Sequence, residues 1–162
     1  ENDDVVLDHS NGWAAYETLE AFLDEDGWYH TGDRVYRRSG DPRLFYVGRD
    51  TDLIKSAGAN VSPLEVEAVL QSCTGVASAF AIGLDDPERG EVVCAVVVPA
   101  GEDLELAALA EHARTQLSSY KVPTVWALAT SEQIPVLASG KLDRKGLRNL
   151  VVDGTLAPLQ AR

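Results

Sequence analysis

Apolar and polar positions along the chain fall into short stretches that read alternately as strands and helices. Glu17 to Leu23 has helical spacing, and Gly27 follows where a left-handed cap would end that helix. Trp28 to His30 with Arg34 to Arg38, and then Leu44 to Val47, lean towards β structure. Ser39-Gly40-Asp41-Pro42 lies between them as a turn cluster. This predicts a hairpin with solvated edges, too small to fold alone and read as the tail of a preceding domain. Further on, Ser62-Pro63-Leu64-Glu65 has the form of a capping box with proline at the first helical position. Val66, Val69 and Leu70 recur at helical spacing until Gly75. Val76 to Ile82 and Val92 to Val98 predict strands, separated by a turn over Asp85 to Gly90. Asp103 is placed to cap a second helix whose Leu106, Leu109, Ala110, Ala113 and Leu117 form one apolar stripe. Val125 to Ala129 is a third strand candidate, and Asp143 is placed to cap a last helix over Leu147 and Leu150. The fold class predicted is α+β: a short sheet covered by helices, preceded by a β-rich tail. No internal repeat or low-complexity tract interrupts the pattern.

Composition narrows this picture. The 162 residues are 45% hydrophobic, enough for a real core and too apolar for disorder. Fourteen Lys and Arg stand against 26 Asp and Glu, a formal net charge of −12. So acidic a surface argues against nucleic acid or an anionic membrane as partner. The longest apolar run, Val92 to Val98, is far shorter than the roughly 20 residues that span a bilayer. The opening residues, Glu1 to Asp4, do not read as a signal peptide. Cys73 and Cys94 form neither a disulfide framework nor a zinc pattern, which fits a reduced cytoplasmic setting. His9, His30 and His112 are too dispersed to suggest a metal site and read as structural or solvated. The absence of Met, even at position 1, reads as the mark of a fragment.

Three segments carry chemistry beyond composition. In Gly27-Trp28-Tyr29-His30-Thr31-Gly32-Asp33, the Thr-Gly-Asp step reads as a turn with glycine supplying an unusual backbone angle. A carboxylate there can instead accept from two adjacent hydroxyls, as in ribose binding. In Gly48 to Glu67, charges cluster before a glycine-bearing loop that leads into the capped helix. That is either a solvated linker or a place where the Arg49 fork meets an oxyanion. In Pro135-Val136-Leu137-Ala138-Ser139-Gly140-Lys141, the lysine is either an exposed surface residue or a cation on a loop free to swing. It is not a P-loop, because the earlier glycine and the following Ser or Thr are missing.

Taken in order and spacing, the three segments resemble the carboxyl-terminal part of the adenylate-forming superfamily: acyl-CoA synthetases, adenylation domains of peptide synthetases, and firefly luciferase. Gly27 to Asp33 is similar to the family's Trp-x-x-Thr-Gly-Asp segment. Gly48 to Glu67 is similar to its Gly-Arg-x-x-Asp-x-Ile-Lys-x-x-Gly-x-x-Val-x-Pro-x-Glu-Val-Glu segment, and Pro135 to Lys141 to its Pro-x-x-x-x-Gly-Lys segment. The resemblance runs from about Gly12 to Leu150.

What the resemblance implies is a ligase that activates a carboxylic acid, expected to be a fatty acid, with ATP and Mg2+, and passes the acyl group to coenzyme A. Asp33 then binds the nucleotide ribose with Arg49 in support, and Lys141 is the catalytic cation of adenylation. Thr51 is the hinge, and Gly58 lies in the loop that lines the pantetheine tunnel after the domain swings. Residues 1 to 48 become the end of a large N-terminal domain, 49 to 51 the hinge, and 52 to 162 the mobile C-terminal domain, with that N-terminal domain as partner. Three departures stand out: Thr at the hinge, Ala57 where the family often has glycine, and no phosphate loop or acyl pocket in these residues. Magnesium is therefore expected to be held mainly by the absent domain, and the isolated fragment to be inactive. The alternatives are an acyl-AMP ligase or peptide-synthetase domain serving a carrier protein, and a non-catalytic interaction module of the same fold.

Overall fold

The computed structural model describes residues 2–7, 24–26, 28–49, 51–101 and 104–159. The expected helix over Glu17 to Leu23, the Gly27 cap and the Asp103 cap lie outside these residues. The chain divides into two compact units, Glu1–Asp52 and Leu53–Arg162.

The first unit is an antiparallel sheet of β1 (Asn2–Leu7), β2 (Tyr29–Arg37) and β3 (Leu44–Arg49), in that order. The β2–β3 hairpin expected from the turn cluster forms, closed by Asp41 N–H on the Arg38 carbonyl at 3.0 Å. Tyr36 and Phe45 stack at 5.1 Å on it, with the Arg38 guanidinium 4.8 Å from the Phe45 ring centre. The Thr-Gly-Asp step is not a turn. Thr31, Gly32 and Asp33 lie inside β2, which runs unbroken through them. The register with β1 jumps from Asp4–Arg34 to Val6–His30, so three residues of β2 oppose one of β1. The glycine signal marks a bulge: Gly32 takes φ +70°, a region open to residues without a Cβ.

The second unit contains β4 (Ile54–Ser56), β5 (Ala59–Val61), α1 (Pro63–Gln71), β6 (Val76–Asp86) and β7 (Gly90–Pro99). After these come α2 (Leu106–Gln116), β8 (Val125–Leu128) and α3 (Arg144–Val152). The strands form one sheet in the order β5-β4-β7-β6, with β8 parallel to β7 and the other pairs antiparallel. The expected α+β class is the observed one.

Strand β7 shows why the fold holds. Val93, Ala95 and Val97 point into a core shared with Val66 and Leu70 of α1 and Leu109 and Ala113 of α2. Cys94 and Val96 point the other way, onto Leu147 and Val151 of α3. A strand buried on both faces reads as a continuous apolar run, which is the Val92 to Val98 signal. The α2 stripe packs as predicted, with Leu109, Ala110, Ala113 and Leu117 buried.

Several boundaries differ from the expectations. Helix α1 ends at Gln71 with Ser72 as C-cap, while Gly75, at φ +90°, belongs to the turn into β6. At the C-cap the Ser72 hydroxyl turns back onto the Val69 carbonyl at 2.7 Å. At the other end Ser62 holds the N-cap position without a side-chain cap bond, so Pro63 sets the start. The turn expected over Asp85 to Gly90 shrinks to Pro87 to Arg89, because β6 and β7 extend to Asp86 and from Gly90. Helix α2 begins after Glu105. His112 is half-buried, its Nε2 2.9 Å from Ser72 Oγ and 3.1 Å from the Val69 carbonyl, and so ties α2 to the end of α1.

Candidate functional site

Four groups of residues with chemical potential emerge, two in each unit. In the first unit Asp33 and Arg49 are direct cross-strand partners on β2 and β3. Arg49 Nε donates to Asp33 Oδ1 at 3.0 Å, and this bond, together with the carboxylate's charge, raises the guanidinium pKa. The Asp33 backbone N–H is held by Thr31 Oγ1 at 3.1 Å, so the bulge fixes the segment that carries the carboxylate. The side chains of Asp33 and Arg49 are 28% and 59% exposed, leaving both accessible to a ligand. Thr51 is exposed in the turn that follows β3. Asp52 N–H donates to the Arg49 carbonyl at 2.9 Å, and Thr51 Oγ1 lies 3.3 Å from Asp52 Oδ1.

In the second unit, the segment around Gly58 was expected to be a glycine-bearing loop and is a tight hairpin between β4 and β5. Its two central residues, Ala57 and Gly58, have φ +51° and +78°. Both values are positive, as a type I′ turn requires. Ala57 is the one non-glycine residue with positive φ among those described. Beside the hairpin opens a cavity of about 270 Å³ lined by Ser56, Ala57, Arg89, Tyr120 and Val122. A second, of about 490 Å³, adjoins it through Ser119, Val122 and Thr124 and reaches Arg114 and Trp126.

Lys141 sits on a small loop closed at its base by a bridge between Val136 and Leu142. Leu137 N–H donates to the Lys141 carbonyl and Gly140 N–H to the Leu137 carbonyl, each at 2.8 Å. The loop is exposed from its base onwards, Val136 at 65% and Leu137 at 48%, and Lys141 is exposed as well. Three residues on, the structure adds a feature the sequence reading passed over. Arg144 Nη1 donates to Glu67 Oε1 at 2.7 Å and to the Ala81 carbonyl at 2.8 Å, while Ala81 N–H donates to the same Glu67 oxygen at 3.0 Å. Glu67 is buried, and the pair holds the first turn of α3, directly after the Lys141 loop. A signal for it existed: Glu67 stands in the stripe Pro63, Val66, Leu70 that faces the core, where an ionisable residue needs a partner. Asp143 caps α3 as expected, accepting from Gly146 N–H at 2.9 Å.

The structure therefore brings Asp33 and Arg49 into contact and puts Gly58 and Lys141 on separate loops of the second unit. Among the described residues no three His, Cys, Asp or Glu side chains converge on a metal position. No helix among them is long and apolar enough to cross a membrane.

An α+β unit with an exposed Gly-Lys loop beside a capped helix, linked in sequence to an Asp–Arg strand pair, describes the C-terminal region of enzymes that form acyl-adenylates. Residues 65–141 match the family of the AMP-binding enzyme C-terminal domain, and the chain belongs to the adenylate-forming superfamily as its carboxyl-terminal region. It is 43% identical over 127 residues to the 2-hydroxy-7-methoxy-5-methyl-1-naphthoate–CoA ligase of Streptomyces carzinostaticus, covering 76% of this chain and 22% of that protein. To the salicylyl-CoA synthase / salicylate adenylyltransferase of a Streptomyces species it is 40% identical, over 85% of this chain and 25% of that protein. Among solved structures, the o-succinylbenzoate CoA synthetase of Bacillus subtilis with its acyl-adenylate intermediate matches at TM-score 0.71 and 34% identity. That match covers 80% of this chain and 26% of that one. The fatty acyl CoA synthetase of Mycobacterium tuberculosis matches at TM-score 0.65 and 32% identity, over 85% and 26%. The chain thus spans about a quarter of the length of these relatives.

Proposed function

We propose that the chain is the C-terminal working part of an ATP-dependent acid–CoA ligase, a cytoplasmic enzyme that forms an acyl-adenylate and passes the acyl group to coenzyme A. The observation that carries this reading is the agreement of fold and sequence with CoA ligases across four-fifths of the chain. The acid is a carboxylic acid, and its class is taken as aryl. Three of the four relatives described are named for naphthoate, salicylate or succinylbenzoate and one for fatty acyl groups, so the fatty acid expected from the sequence has the weaker support.

In this reading residues 1–48 close a larger nucleotide-binding domain, residues 49–51 act as hinge, and the part from residue 52 alternates between two arrangements. Asp33 would accept hydrogen bonds from the ribose hydroxyls of ATP. Arg49, already bonded to Oδ1, holds that carboxylate in orientation. Lys141 would approach the α-phosphate and the acid during adenylation. There negative charge builds on oxygen, and a placed ammonium offsets it. The Ala57–Gly58 turn would line the path of the pantetheine thiol. Magnesium would enter with ATP, held mainly by the larger nucleotide-binding domain and the phosphates themselves.

The test is Lys141→Ala in the complete enzyme. Loss of one placed charge contact should slow adenylation about 10²- to 10³-fold. Thioester formation from supplied acyl-adenylate should stay near wild type. Pyrophosphate release and thioester assays, the second run with coenzyme A and with a carrier protein, read both halves and the acceptor. Equal loss in both halves would remove Lys141 from the proposed role.

A further inference from the structure

The β4–β5 hairpin is tied to β7 by very little backbone. Its ladder with β7 is one residue pair, Ser56 with Gly90, and Ala57 N–H adds one bond to the Arg89 carbonyl at 2.9 Å. Next to them a side chain takes over. Glu91 Oε2 accepts from the backbone N–H of Lys55 at 2.7 Å, standing where a longer ladder would have put a carbonyl. An ionised acceptor makes this a stronger bond than a neutral one. The third strand provides the space. A Cβ built at Gly83 of β6 would lie 2.6 Å from Glu91 Oε1, so glycine at this point is what lets the carboxylate lie flat across the sheet. The Gly83 carbonyl is itself fixed by Arg148 Nε of α3 at 2.9 Å. Strands β4, β6 and β7 converge on one carboxylate.

We propose that Glu91, seated on Gly83, is a positioning residue for acyl transfer: it holds the Ala57–Gly58 hairpin where the acceptor thiol passes and takes no part in adenylation. This rests on the function proposed above, which gives the hairpin to transfer and Lys141 to adenylation. The hairpin needs an outside tie, since Ala57 occupies backbone space that side-chain-bearing residues rarely adopt and the strands on either side have three residues each. The Lys141 loop is held by other groups, Asp143 and the Glu67–Arg144 pair. Disturbing one tie therefore leaves the other loop in place, and the two half-reactions respond separately.

Three variants test this: Glu91→Ala, Glu91→Gln and Gly83→Ala. Gly83→Ala displaces only the far end of the Glu91 side chain, so it breaks the same contact from the opposite strand. On the present chain, amide hydrogen exchange at Lys55 should quicken about tenfold in Glu91→Ala and Gly83→Ala, the scale of one charged hydrogen bond, and little in Glu91→Gln, which keeps an acceptor oxygen. In the complete enzyme, thioester formation from supplied acyl-adenylate and coenzyme A should slow about 10- to 100-fold in the first two. Pyrophosphate release from acid and ATP should stay within about twofold, because no contact to the adenylating loop is touched. The double variant should be no worse than either single one, since both remove one contact. Equal slowing of the two half-reactions, or normal transfer despite a freed Lys55 amide, would overturn the positioning role. A wild-type enzyme that transfers nothing to coenzyme A, with Lys55 responding as described, would overturn the functional reading and leave the contact as a structural one.

Discussion

Glu67 and Arg144 lie 77 residues apart in sequence and meet at 2.7 Å, the carboxylate 9% and the guanidinium 25% exposed. Their contact joins α1 to the start of α3 across the middle of β6, where both also bond the backbone of Ala81, and among the described residues no buried side-chain polar atom lacks a partner. Removing one member of such a pair leaves the other desolvated and unpaired. We expect Glu67→Ala to cost about 3 kcal/mol, the low end of the range for breaking buried pairs, because Arg144 keeps some access to water. Glu67→Gln keeps an acceptor for Ala81 N–H and should cost about 1–2 kcal/mol. Urea denaturation of the two variants measures the difference, and equal loss would show that the charge contributes nothing.

Ala57 is strained where Gly58, one residue on, is not. An alanine at φ +51° suffers a clash that glycine avoids, so Ala57→Gly should raise stability. The gain is reduced by the greater freedom of glycine in the unfolded chain, leaving about 0.5–1 kcal/mol, or a Tm rise of about 2–4 °C. Gly58→Ala should do the reverse. Calorimetry of both variants decides the point, and a lower Tm for Ala57→Gly would mean that the methyl group makes contacts worth more than the strain.

The two cysteines should behave differently. Cys94 is fully buried between β6 and β8, and burial pushes its thiol from 9.0 up to about 12; Cys73 is half-buried. At pH 8 a thiol reagent should label Cys73 and reach Cys94 only on unfolding. Because the folded value is the raised one, the unfolded chain loses its proton first. The associated stability is complete below about pH 9 and is lost as pH rises towards 12. Urea midpoints taken from pH 8 to 11 should fall, and fall less steeply in Cys94→Ala.

Much of the second unit was legible because its core follows simple periods. The α2 stripe and the Val92 to Val98 run state their burial directly, and Asp143 caps α3 as its position suggests. Short and strained pieces were not. Strands β4 and β5 have three residues each, too few to show a period, and their turn uses an alanine where a glycine pair would have announced a hairpin. Thr31-Gly32-Asp33 read as a turn because positive φ is shared by turns and bulges, and only pairing with two neighbours tells them apart. Asp33, Arg49 and Lys141 were singled out through the resemblance of their segments to the family's, and their roles remain part of the proposal. Glu67 and Arg144 were missed because they meet across 77 residues and over the Ala81 backbone, and Glu91 because its partner is the Lys55 amide on another strand, pairings that local sequence does not display.

The last expectation concerns the proposed hinge. Asp52 N–H closes onto the Arg49 carbonyl, which makes Thr51 the third residue of a four-residue turn. Proline in that place fixes φ near −65° and restricts the residue before it, so a turn of this kind loses one of its accessible geometries. If the second unit swings about Thr51, Thr51→Pro should keep adenylation nearly intact and slow coenzyme A transfer strongly, because transfer requires the swing. Thr51→Gly should be mild in both, since glycine admits either conformation. Pyrophosphate-release and thioester assays on the complete enzyme separate the steps. The same transfer assay also separates this prediction from the Glu91 one. Glu91→Ala should free the Lys55 amide as it slows transfer, whereas Thr51→Pro should slow transfer with Lys55 still protected. A proline variant that transfers acyl groups at the normal rate would put the pivot elsewhere in the chain.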